Sequence, residues 1–185
     1  MKKNIYLAGF MGTGKSTVGK ELARLLGRKF IDMDSVLEKR LGMKIPEIFE
    51  KHGEDYFRKE EKKLAMELAG THNKVIATGG GSILDLEVRE AFRSSGLIIG
   101  LEAQENELVN RLSRTGKRPL VKDRKTIPRR VKELLEEREP VYKQITIRVN
   151  TTNLTPKEAA SKIVDLLKTR QRILDQLQSQ YITLS

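Results

Sequence analysis

The chain has 185 residues, 38% of them hydrophobic and 33% charged, which supplies apolar material for one core and suits one domain with small appendages. It has no cysteine, which excludes disulfides, cysteine-ligated zinc, iron–sulfur clusters and thiol catalysis. Tryptophan is absent and aromatics make up 5%, too few for a base-stacking platform, while 36 Lys and Arg against 25 Asp and Glu give a charge of +11 and point to an anionic partner.

Asn4 to Ala8 reads as a short buried strand. The glycines from Gly9 to Gly14 cannot continue it, and from Lys15 the spacing of Val18, Leu22, Leu25 and Leu26 becomes helical until Gly27. Phe30-Ile31 starts a second strand that ends in Asp32-Met33-Asp34. A charged helical stretch follows, with Ile45, Ile48 and Phe49 on its buried side; His52-Gly53 breaks it, and Asp55 to Leu68 forms another helix. Lys74 to Thr78 is a third strand, closed by Gly79-Gly80-Gly81. Residues 85–94 are helical, Leu97 to Leu101 is a fourth strand, and 104–113 are helical again. Residues 114–126 read as a basic loop. Residues 128–138 form a helix expected to stop before Pro140, Ile145 to Val149 is a fifth strand, and Thr155-Pro156 caps and opens the last helix.

Five short apolar strands separated by helices predict a five-stranded parallel sheet covered on both faces, a three-layer α/β/α arrangement. One domain is expected over 1–167. The stretch 33–61 is longer than one crossover helix needs and reads as a lobe at the ligand-binding edge. Residues 168–185 read as a helical extension: Ile173, Leu174, Leu177 and Tyr181 share a face that either packs on its own domain or offers a dimer contact. A monomer is expected, with that dimer contact as the alternative. No apolar run approaches the ~20 residues that span a bilayer. The apolar stretch after Met1-Lys2-Lys3-Asn4 ends in glycines followed by Lys15 and Lys20, unlike a secretory signal, so a cytoplasmic location is expected. Neither a membrane nor nucleic acid is an expected partner.

Gly9-Phe10-Met11-Gly12-Thr13-Gly14-Lys15-Ser16 matches G-x-x-x-x-G-K-[ST]. Its glycines let backbone N–H groups converge on phosphate oxygens, and the helix behind them adds its positive end. Lys15 brings a full charge to the β and γ phosphates, and the Ser16 hydroxyl is a hard ligand for Mg²⁺. At ordinary residue frequencies such a match arises by chance in roughly one chain in a hundred of this length, and a strand running in with a helix running out lowers that further. The expected fold is therefore of the P-loop NTP hydrolase type, binding ATP and Mg²⁺.

Ligands of such sheets sit beyond the carboxyl ends of the strands. Asp32 and Asp34 lie there, two residues apart, so that both carboxylates can leave the strand on one side. One could order a water on the metal and the other accept a proton from a hydroxyl; alternatively Asp34 caps the next helix. Gly79, Gly80 and Gly81 either make a tight turn or bring backbone against a ligand. Among the basic residues of 111–125, Arg118 stands apart because Pro119 restricts it, and a loop closing with an arginine suits phosphoryl transfer.

With these motifs in place, the chain resembles the shikimate kinases. The resemblance rests on G-F-M-G-T-G-K-S at 9–16, D-M-D at 32–34, G-E-D-Y-F-R-K-E-E at 53–61, G-G-G at 79–81, R-P-L-V at 118–121 and R-E-P-V-Y at 138–142, in the family's order over about residues 4–165. It implies ATP-dependent phosphorylation of the 3-hydroxyl of shikimate in aromatic amino acid biosynthesis, with a substrate lobe near 33–61 and a lid near 112–125. It implies that Gly12, Thr13, Gly14, Lys15, Ser16 and Thr17 hold ATP, with Ser16 on Mg²⁺ and Asp32 acting on the metal through water. Asp34 would meet the substrate hydroxyls as the base. Arg58 and Arg138 would grip its carboxylate beside Gly79, Gly80 and Gly81, and Arg118 would reach the phosphates. Guanidinium forks suit a carboxylate, and Glu61, three residues after Arg58, could orient it on a helix. Two departures stand out: the Arg114–Arg118 stretch is short for the family, and Asn150 to Pro156, where the family places adenine contacts, has no basic residue. The rival readings are a kinase of the same fold acting on gluconate or a nucleoside monophosphate, and a nucleotide-dependent regulatory protein.

Overall fold

The computed structural model describes residues 3–115 and 126–183. In chain order these are β1 Asn4–Gly9, α1 Lys15–Leu26, β2 Lys29–Asp32, α2 Met33–Leu41, α3 Ile45–Ala69, β3 Lys74–Ala77, a 3-10 turn at Ser82–Leu84, α4 Leu86–Ser95, β4 Gly96–Glu102, α5 Glu105–Thr115, α6 Ile127–Tyr142, β5 Ile147–Asn150 and α7 Pro156–Thr183. The strands pair in the order β2-β3-β1-β4-β5, every pair parallel.

Strand β1 is buried along its whole length, so its period-2 alternation feeds two cores. Ile5 and Leu7 join Val18 and Leu22 of α1 and Ala160 and Ile163 of α7 on one face; Tyr6 and Ala8 join Phe57 and Leu64 of α3 and Phe92 of α4 on the other. Tyr6 and Phe92 stack with ring centroids 4.0 Å apart. A third cluster binds Phe10 and Met11 of the glycine loop to Leu108 and Leu112 of α5 and Val131 and Leu134 of α6. The glycine loop is thereby fixed by its own small core.

Local chemistry sets the ends. Gly27 terminates α1 in the left-handed conformation at φ 62°. Thr155 and Glu158 exchange hydrogen bonds at the start of α7, the Thr155 N–H donating to Glu158 at 2.8 Å and the Glu158 N–H to Thr155 Oγ1 at 3.2 Å. Helix α3 is interrupted at Gly53, whose φ 81° and ψ 173° are not helical, as His52-Gly53 predicted.

Two expectations change. Helix α6 does not stop before Pro140 but runs through it to Tyr142. A proline removes one helical N–H, yet the next turn closes with the Lys143 N–H on Glu139 O at 2.9 Å, and Val141 and Tyr142 pack against the core. Asp34 does not cap α2: Asp32 does, its Oδ1 accepting from the Ser35 N–H at 3.2 Å. Asp34 lies in the first helical turn. In the extension, where packing on its own domain and a dimer contact are the alternatives, residues 168–173 and 175 are exposed.

Candidate active site

The glycine loop follows β1, at the point where the sheet order turns outward on either side. A methyl at Gly9 would collide with Leu101 O of β4, so only glycine lets the chain leave the sheet there. Gly12 and Gly14 take φ 84° and 90°, and Gly14 caps α1 without a side-chain bond, which turns the first N–H groups of the helix toward the loop's interior. The Lys15 ammonium donates to Gly9 O at 2.7 Å and Phe10 O at 3.0 Å. Thr13 is buried and donates to Phe10 O at 2.8 Å; its own carbonyl accepts from the Thr151 hydroxyl at 3.0 Å. Thr17 Oγ1 donates to Gly14 O at 3.0 Å.

A cavity of about 500 Å³ opens over this loop, lined by Gly12, Lys15, Ser16, Thr17, Asp32 and Asp34 among others. A second, of about 50 Å³, is bounded by Asp34, Arg58, Glu61, Gly80, Gly81 and Arg138 with apolar walls from Met11, Phe49 and Phe57. Asp34 and Ile45 border both. The sequence-predicted residues thus line two adjacent cavities: Asp32 and Asp34 the one over the phosphate loop, and Asp34, Arg58, Gly80, Gly81 and Arg138 the smaller one beside it. Gly79 stands behind it: a methyl there would collide with Glu61 Oε1. Residues 116–125, with Arg118 and most of the predicted lid, lie outside the described residues.

The two arginines reach the small cavity from different helices. Arg58 of α3 donates to Glu61 at 2.7 Å and to Glu54 at 3.0 and 3.2 Å. Its guanidinium is pulled down by burial, but the Glu61 and Glu54 carboxylates outweigh this and raise its pKa. Glu61 is 2% exposed. Burial pushes its carboxyl above the usual range, opposed by the charge of Arg58 and by hydrogen bonds from Arg58 and Ser82; the Ser82 hydroxyl donates to it at 2.7 Å. Arg138 of α6 is 3% exposed, donates to Gly80 O at 3.1 Å, and lies over the Phe10 ring at 5.6 Å. Its Nε is buried without a partner among the described residues.

Two residues that sequence reasoning passed over are part of the frame. Arg111 of α5 donates to Gly12 O and to Thr151 O, both at 3.1 Å, and so ties the phosphate loop to the turn after β5; it puts a basic group beside the 150–156 segment that has none of its own. Tyr142 donates to Gly80 O at 2.7 Å. Its signal was lost once Pro140 was read as the end of the helix. Among the described residues no group of three His, Cys, Asp or Glu could hold a metal. A Mg²⁺ ion held by Ser16, and by Asp32 through water, would therefore take most of its oxygen shell from phosphates and water, which is how this hard ion is commonly bound beside nucleotides.

Comparison with known proteins places this arrangement. The family model for shikimate kinase matches residues 11–168. A curated shikimate kinase of Caldanaerobacter subterraneus is 45% identical over 164 residues, 88% of this chain and 94% of that one. The structure of a shikimate kinase from Acinetobacter baumannii in complex with shikimate superposes with a TM-score of 0.87 at 36% identity, covering 92% of this chain and 95% of that one. A gluconokinase from Sinorhizobium meliloti shares the fold, with a TM-score of 0.55 at 21% identity. The five-stranded parallel P-loop fold and the sequence together show that the chain belongs to the shikimate kinase family.

Proposed function

We infer that this chain transfers the γ-phosphoryl group of ATP to the 3-hydroxyl of shikimate, releasing ADP and shikimate 3-phosphate for aromatic amino acid biosynthesis. The observation that carries the reading is the meeting of Arg58 and Arg138, from separate helices, with Asp34 at a cavity adjacent to the one over the phosphate loop. Two guanidiniums suit one planar carboxylate, and a carboxylate at the border of the two cavities suits a hydroxyl facing a phosphate.

In this reading the lobe near 33–61 holds the acceptor, whose carboxylate lies on Arg58, Arg138 and the Gly80–Gly81 backbone, with Gly79 behind them. Asp34 takes the proton of the 3-hydroxyl as its oxygen bonds to the γ-phosphorus and the bond to the ADP oxygen breaks. Lys15 exchanges the carbonyls of Gly9 and Phe10 for phosphate oxygens, while Gly12 to Thr17 cradle the nucleotide. Arg118, from the lid near 112–125, adds charge to the transferred group. Bound Mg²⁺, on Ser16 and through water on Asp32, supplies charge neutralisation at the phosphates. The chain acts as a cytoplasmic monomer on small molecules. No helix among the described residues is long and apolar enough to cross a membrane.

Asp34→Asn tests the central step. The amide cannot take the proton, so kcat should fall by about 100-fold or more, with ATP affinity by calorimetry unchanged. Turnover near the parent value would remove Asp34 as the base.

A further inference from the structure

The R-E-P-V-Y segment supplies Arg138 to the acceptor reading but leaves Tyr142 without a part in it. Residues 138 and 142 are four apart on α6 and therefore share a face. Both reach the same atom: Gly80 O accepts from Tyr142 Oη at 2.7 Å and from Arg138 Nη1 at 3.1 Å.

Two consequences follow for the carboxylate site. Gly80 sits within a glycine triplet, where a peptide can rotate at little steric cost. Saturating its carbonyl from α6 fixes that peptide plane. The peptide is trans and planar, so the Gly81 N–H is held pointing the opposite way. The second consequence concerns Arg138, a buried guanidinium whose Nε meets no partner among the described residues. An unsatisfied buried cation seeks any nearby acceptor. With the shorter bond to Gly80 O taken by the phenol, Arg138 keeps one longer bond there, and its guanidinium also lies against the phenol oxygen, so that the tyrosine holds both the turn and the arginine.

The Tyr142 ring packs against two of the cores and also borders a cavity of about 470 Å³ between α6 and the β4–β5 edge, behind the phosphate loop; the hydrogen bond at its tip ties this packed ring to the glycine turn. Burial pushes the phenol above its ordinary pKa, against the opposing charge of Arg138, so it remains a donor throughout the neutral range.

We propose that Tyr142 is a positioning residue for acceptor recognition, its hydroxyl pinning the Gly80 carbonyl so that the glycine turn and the Arg138 guanidinium are set for one carboxylate. The proposal rests on the reading of Arg138 as a carboxylate contact. The test compares Tyr142→Phe with Arg138→Lys, measuring KM for shikimate, KM for ATP, kcat and Tm. Phenylalanine keeps the ring and removes the hydroxyl, with its bond to Gly80 and its contact to Arg138, so the acceptor KM should rise about five- to tenfold, with kcat and the ATP KM within about twofold and Tm shifted by no more than a few degrees. Arg138→Lys should raise the acceptor KM further, because lysine has no fork. An unchanged acceptor KM in Tyr142→Phe beside a raised one in Arg138→Lys overturns the proposal and leaves the carboxylate reading standing. Unchanged values in both variants overturn the carboxylate reading and the proposal with it. A general loss in Tyr142→Phe, with kcat, both KM values and Tm all worsened, reduces the tyrosine to a packing residue and also overturns the proposal.

Discussion

Glu61 is buried and ionisable, and burial alone disfavours its charge. Its native pKa therefore lies above the unfolded value. The native state holds the proton more tightly, so what this carboxyl contributes to stability is greatest below the unfolded pKa and declines as pH rises through the native one. Acceptor binding follows the opposite sense, because only the ionised form fully pairs with Arg58 at 2.7 Å. As pH falls through the raised native pKa, the acceptor KM should climb. Glu61→Gln should show a KM raised roughly ten- to a hundredfold at pH above that pKa, the scale of one charge-assisted bond, and no such acid limb. A wild-type KM in that variant across the same pH range would show that Arg58 needs no carboxylate partner. At this scale the sequence was partly legible: the spacing of Arg58 and Glu61 foretold their pairing, and D-M-D foretold two carboxylates near the cleft. It did not tell which of the two caps α2, because Asp32 and Asp34 both precede helical residues and only the φ/ψ of Asp32, −107° and 115°, marks it as the cap.

At the scale of elements, the break in α3 decides where the acceptor residues point. Gly53 has φ 81° and ψ 173°, a region that side-chain-bearing residues hardly enter, at about 1–3 kcal/mol each. A methyl there would meet no atom within 4 Å, so Gly53→Ala isolates the backbone cost from any clash. It should lower Tm by several degrees and raise the acceptor KM, since Glu54, Arg58 and Glu61 all follow the break. A Tm within one degree of the parent with unchanged kinetics would show that the break is incidental. The break itself was readable from His52-Gly53, because glycine interrupts a helix locally. The passage of α6 through Pro140 was not, because the proline penalty is local while its compensation is tertiary: Tyr142 is held by Gly80, 62 residues away. Strand ends behaved in the same way. Ile145 is buried, as its apolar character suggested, but β5 pairs with β4 only from Ile147.

For the whole molecule, the sheet and its two faces were legible because parallel strands buried on both sides leave continuous apolar runs. The C-terminal extension was not, because an amphipathic stripe does not name what covers it. Helix α7 packs on the sheet through Ala159, Ala160 and Ile163, whereas residues 168–173 and 175 are exposed, Ile173 to 51%. Removing residues 168–185 should therefore leave both KM values and kcat unchanged and shift Tm by no more than about 2–4 °C, the equivalent of 1 kcal/mol in a chain of this size. Light scattering should give the monomer mass with and without the extension. A dimer of the full chain that truncation dissolves would make the extension an interface.

The charge of +11 is consistent with a chain that binds a polyphosphate and a carboxylate, and the two cavities meeting at Asp34 give those anions adjacent places. The most direct measurement is ADP release from MgATP with shikimate, beside reactions with no acceptor, with gluconate and with nucleoside monophosphates. The account predicts release that depends on shikimate and stays at background with the others. Release with gluconate or a nucleoside monophosphate in preference to shikimate would contradict the roles given to Arg58 and Arg138, and no release with any acceptor would contradict the proposed activity itself.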